Sequence, residues 1–119
     1  MGCWKGCVIS EGLSDPSIIN NYRVVGASIS DDDKAIDYEG NKGRWHIYWI
    51  KCGREAIEEF QPYVVEGWYA HFWNEDKLII VYNDRVFEAS HSDRLSWSEA
   101  IEHGKMQGIP KDELDFPTE

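Results

Sequence analysis

A chain of 119 residues, 42% of them hydrophobic, has apolar material for one folded domain and is not a disordered sequence. Its net charge of −10, with the 12 basic residues scattered, opposes phosphate backbones and anionic lipid surfaces, so neither nucleic acid nor membrane is an expected partner. No apolar run approaches the ~18 residues of a spanning helix, and the N-terminus carries no signal-peptide pattern.

The first element is "CVIS" (7–10), a short β-branched run that reads as a buried strand. "SDPSIINNY" (14–22) predicts a short helix, with Asp15 as N-cap, Pro16 in the first helical position and Ile18, Ile19 and Tyr22 turned inward. "RVVGASIS" (23–30) is a second strand. The acidic stretch 31–43 is a long hairpin connection, with strand character expected near Tyr38.

"RWHIYWIKC" (44–52) is the strongest strand pattern in the chain. Residues 53–67 place Ile57, Phe60 and Val64 at helical spacing, and Pro62 must kink this helix or end its first part. Residues 68–90 form three strands in a meander, with turns at Glu75-Asp76 and Asn83-Asp84. The last helix spans 96–108. Ser96 and Glu99 have capping-box spacing, Trp97, Ile101 and Gly104 share a face, and Gly108 stops it. The chain, 1–119, reads as a single globular domain with a flexible tail from about residue 109.

This order of elements predicts an α+β fold. Its first six elements match the β-α-β-β-α-β pattern of ferredoxin-like domains, extended by a C-terminal meander and a final helix. The expected spatial order of the strands is 2-3-1-4-5-6. The alternative is a curled antiparallel sheet or open barrel with helices on one side.

Side chains alternate along a strand. Trp45, Ile47 and Trp49 therefore share one face of the third strand, and His46, Tyr48 and Ile50 the other. In the fourth, Trp68, Ala70 and Phe72 oppose Tyr69, His71 and Trp73. We expect the wholly apolar sets to lie together beneath the helices, each large aromatic there contributing ~3–5 kcal/mol as an upper bound. The His/Tyr sets would then form the second face, with His46 and His71 roughly 9–10 Å apart across the first strand. An uncovered face of that kind exceeds what a monomer ordinarily exposes. Its cover is expected to be a small molecule, a second copy of the chain in a homodimer, or the last helix.

The candidate ligand or interface residues are thus His46, Tyr48, Tyr69, His71 and Trp73, with Arg44 at the strand's start placed to meet an anionic ligand. The tryptophans at 45, 49 and 68 are assigned to the core. Two function classes follow. One is a small-molecule-binding or interaction module. The other is a small cofactor-free enzyme with His46 or His71 as general base and Tyr48 or Tyr69 orienting the substrate.

Other chemistry finds little support. The Asp31, Asp32, Asp33, Asp37, Glu39 run places Ala35 and Ile36 where a calcium loop needs an oxygen ligand and Gly. Cys3, Cys7 and Cys52 lack a suitably spaced His pair for zinc, so no metal or cofactor is expected. An odd cysteine number points instead to a reducing, cytoplasmic setting. Gly2 and Cys3 suggest acylation, but the pattern wants Ser or Thr where Gly6 stands.

Overall fold

The register of the first strand decides the architecture. In the computed structural model, which describes residues 3–35 and 41–116, β1 (Trp4–Ile9) lies between two antiparallel neighbours, β3 (His46–Cys52) and β4 (Ala70–Asn74). Cys7 stands opposite both Trp49 and His71, and Gly6 opposite both Ile50 and Phe72. Directly opposed residues share a face. Trp49 and His71 are therefore on one side of the sheet, Ile50 and Phe72 on the other.

Around this centre, β2 (Arg23–Ile29), β5 (Lys77–Val81) and β6 (Val86–Ser90) complete an open six-stranded antiparallel sheet of order β2-β3-β1-β4-β5-β6. A separate two-residue ribbon pairs Lys34–Ala35 with Lys42–Gly43. The expectation for Tyr38, like Gly2, Glu39 and the last three residues, falls outside the described residues. The chain is a small α+β domain with few helices. The strand neighbours are those expected, but the ferredoxin-like assignment does not follow. Two further strands extend one edge, and the first crossover holds only 3-10 turns.

Those turns have local causes. The Asp15 carboxylate accepts from the Ser17 amide and Pro16 starts the turn, yet the segment Pro16–Asn21 stays a 3-10 helix. The following Tyr22 ends it by returning to extended geometry at the start of β2. After β3, α1 (Ala56–Phe60) lasts five residues before Pro62 imposes a 3-10 turn at Gln61–Tyr63. The chain then bonds back to residues 12–14, through Ser14 N to Tyr63 O at 2.8 Å and Val65 N to Gly12 O at 2.9 Å. Pro62 thus ends the helix and starts a tether.

The edge strand β2 stays largely exposed, while both faces of the sheet carry a packed layer. On one, Trp4, Val8, Ile50, Phe72 and Val81 pack against Ile18, Ile19, Ile57 and Phe60, with Tyr48 at the margin. Gly6 is the close approach in this layer: a Cβ there would stand 2.6 Å from the Phe72 ring. On the other face, Cys7, Trp73, Leu78, Ile80, Tyr82 and Phe87 pack against Trp97 and Ala100, joined by Ile47, Trp49 and Tyr69. The cover there is α2 (Ser98–Met106), so the last helix does lie over the His71 face.

The entry to α2 differs from the expected capping box. Asp93 caps a 3-10 turn, Arg94–Trp97, that runs directly into the helix. The Ser96 hydroxyl is used elsewhere, accepting from the Ser90 amide at 2.9 Å and donating to the Asp93 carbonyl. At the exit Gly108 has φ +90°, and the bonds Gly108 N to Lys105 O and Ile109 N to Gly104 O close a Schellman motif. The chain then turns back onto the sheet. Residues 109–116, expected as a tail, instead bury Ile109, Leu114 and Phe116 in the second layer.

Two stability effects follow. Gly6→Ala drives a methyl into the buried Phe72 ring and is expected to lower unfolding free energy by about 1–3 kcal/mol in urea titrations. Phe116→Ala, which empties a fully buried site, should cost about 3–5 kcal/mol in the same assay.

Candidate functional site

Between the second face of the sheet and the returning segment 107–115 the packing is incomplete. A cavity of about 500 Å³ remains there. Its floor is Cys7, Ile9, Ile47 and Trp49 from the central strands, together with Tyr69 and His71. Its walls are Trp45 and Trp68 on one side and Gln107–Pro110 on the other.

Each wall is positioned by a bond or a ring contact. Trp68 lies against Gly12, where a Cβ would come within 2.8 Å of the indole. Its ring centroid is 5.1 Å from that of Trp45. Trp49 meets Trp73 edge-on at 5.9 Å, and Trp73 stacks on His71 at 5.4 Å. The returning segment is held by the Gly67 amide donating to Gln107 Oε1 at 2.9 Å and by the Tyr69 hydroxyl donating to the Glu113 carbonyl. Phe116 locks its end, with its ring 5.2 Å from Tyr69 and 5.4 Å from Trp97.

The expected site residues divide. Tyr69 and His71 border the cavity, and Trp73 lies behind His71. Tyr48 is on the opposite face, packed against the first layer. His46 is exposed and alternates with Ile47, so it does not share a face with His71. Arg44 is exposed and lies away from the cavity lining. The cause is the register across β1. The two aromatic strands are offset by one residue relative to the expected matching, and a one-residue offset exchanges every side chain between faces. Trp45, Trp49 and Trp68, assigned from sequence to the core, also line the cavity, Trp49 and Trp68 while packed against the two core layers. No local signal in the sequence places them, because the matching of the two strands is set by their separate pairings with Gly6 and Cys7 of β1.

Polar groups gather at the cavity's border: Glu11, Lys34, Glu66, Glu113 and Asp115. Lys34 Nζ pairs with Glu113 Oε1 at 3.4 Å and stands 5.1 Å from the Trp45 ring centroid. Glu11 accepts from the His46 amide and from His46 Nδ1, both at 2.7 Å. Partial burial pushes the Glu11 carboxyl up, but the two His46 bonds outweigh it and hold the group below the usual Glu range.

The reactive groups are quiet. Burial, with the Asp115 charge added, pushes the Cys7 thiol up to about 12, and burial with Cys3 and Glu55 does the same to Cys52. Neither is a thiolate near neutral pH. Burial also raises the Tyr69 hydroxyl well above its ordinary value, followed by the Asp115 charge, which keeps it a donor toward Glu113. Away from this site, His103 Nε2 meets Asp84 Oδ1 at 2.8 Å on an open surface.

Comparison with protein-family models, with curated proteins and with solved structures finds no match to this chain.

The Glu11–His46 pair has a testable pH signature. Because the folded Glu11 carboxyl titrates below its unfolded value, its contribution is fully present above the ordinary Glu pKa and fades as pH falls through the depressed one. Glu11→Gln should therefore lower neutral-pH stability by about 1 kcal/mol, discounted for the exposed imidazole. The gap to the parent, followed by denaturant titration, should close below about pH 4.

Proposed function

We propose that this chain is a small-molecule-binding module whose ligand occupies the cavity between the sheet and the returning C-terminal segment. The observation that carries the reading is the cavity's make-up. Its volume of about 500 Å³ falls within the ~300–1,000 Å³ typical of ligand sites, and its walls are three tryptophans with a few polar groups at the border. An apolar space of this size left empty forfeits packing that the adjoining layers achieve, and a ligand would restore it.

Further elements of the reading rest on the same ground. The neighbour order of the first four strands supports a ferredoxin-like core with two strands added at one edge. Three free cysteines agree with a cytoplasmic setting. Self-association through the His71 face is not part of the proposal, because α2 and residues 109–116 lie on it. An enzymatic alternative now rests on His71 alone, since His46 lies outside the cavity lining and Tyr69 is committed to Glu113.

A thermal-shift screen with small aromatic compounds of each charge type tests the proposal. A ligand at about a hundredfold over its Kd raises stability by about 2.7 kcal/mol, a displacement easily read in the melting curve. Trp68→Ala removes one wall and should weaken binding about tenfold. His71→Gln should leave it within a few fold. Silence across the panel would falsify the binding reading, and turnover abolished by His71→Gln would replace it with the enzymatic one.

A further inference from the structure

Resting on the binding reading above, the charge pattern around the cavity narrows the ligand class. We infer that the cavity takes an organic cation, an amine or quaternary ammonium with an apolar body, whose head group replaces the Lys34 ammonium over Trp45 and beside Glu113.

Three observations converge on this assignment. The first is that the chain already fills the position with a cation of its own. Lys34 Nζ lies 5.1 Å from the Trp45 centroid and 3.4 Å from Glu113 Oε1, the two partners an ammonium head requires. The Lys34 side chain is 37% exposed, so water competes for its ammonium and its hold is weak.

The second is the balance of charge. Among the described residues, four carboxylates, Glu11, Glu66, Glu113 and Asp115, border the cavity against one cation, Lys34, a formal excess of three negative charges. Moving Lys34 aside raises the excess to four, so an incoming cation restores the balance and an anion worsens it. The net charge of −10 adds a long-range field of the same sign, which draws cations toward the protein.

The third is the geometry of the rings. Trp45 and Trp68 stand with centroids 5.1 Å apart and planes inclined by 57°, forming a corner rather than a slot. A corner of two indole faces suits a rounded ammonium head, whereas a flat neutral ring is better served by parallel walls. The apolar body would extend inward over Trp49.

Three probes of matched size test the inference by titration calorimetry: benzyltrimethylammonium, its neutral carbon isostere neopentylbenzene, and phenylacetate. The expected result is that the cation binds at least about tenfold tighter than the isostere, with phenylacetate weakest. Lys34→Met should strengthen cation binding several-fold more than it changes binding of the isostere. Lys77→Met, which removes an exposed charge outside the cavity lining, should leave the cation's affinity unchanged. If the isostere binds as tightly as the cation, or phenylacetate binds best, the cation assignment fails while the binding module stands. Cation preference without a gain in Lys34→Met, or with an equal gain in Lys77→Met, overturns the replacement of Lys34. If no probe binds, both readings fall together.

Discussion

The pairing of β1 with two neighbours at once is the constraint on which the rest depends. Gly6 and Cys7 each face a residue of β3 and a residue of β4, so one register choice sets both sides of the sheet. A slip of one residue in either ladder would carry Trp49 or His71 to the opposite layer. Gly6 secures the choice. With no side chain of its own, it leaves room for the Phe72 ring in the first layer, and Ile50 packs beside it. A Cβ at this position would stand 2.6 Å from that ring.

From this register comes an unequal pair of cores. In the first layer, short turns and the one-turn helix carry Ile18, Ile19, Ile57 and Phe60 directly onto the sheet. The second is covered by one nine-residue helix and by chain that returns after Gly108. Over β5 and β6, α2 fills the space. Over β1 and β3 the returning segment spans the gap, held by bonds to Gln107 and Glu113, by the Lys34–Glu113 pair and by Phe116, and the cavity lies beneath it. Phe116 adopts φ +42°, a conformation costly for a bulky side chain. Its fully buried ring, packed against Tyr69 and Trp97, offsets that cost.

Much of this was legible in the sequence. Period-two alternation and β-branched runs located the strands from β2 onward, and turn residues marked the meander. The first strand, β1, begins at Trp4, three residues before the β-branched run expected at 7–10. Gly108 announced the end of the last helix through the left-handed backbone it needs. What sequence could not carry was the relation between strands far apart in the chain. Residues 44–52 and 68–73 each divide cleanly into two sets, but which set of one joins which set of the other is a property of β1 and its register. Hence the His46–His71 pairing failed, and Trp45 and Trp49 came to lie on the cavity side of the sheet. The helical segments failed for a different reason. Pro62 and the 3-10 geometry after Pro16 shortened what periodicity alone reads as regular helix, and the Ser96 capping signal was spent on a neighbouring turn. The tail was misjudged because its apolar residues, Ile109, Leu114 and Phe116, follow no regular period. They enter the core one at a time from irregular backbone.

The indole pairs carry a consequence of another kind. Trp45 and Trp68 lie at 5.1 Å beside the cavity, and Trp49 and Trp73 at 5.9 Å beneath it, each pair at a steep inclination. Indoles this close couple their excited states, and both pairs place at least one ring on the cavity. The filling of the cavity should therefore register in the aromatic circular dichroism of the domain, with no label attached.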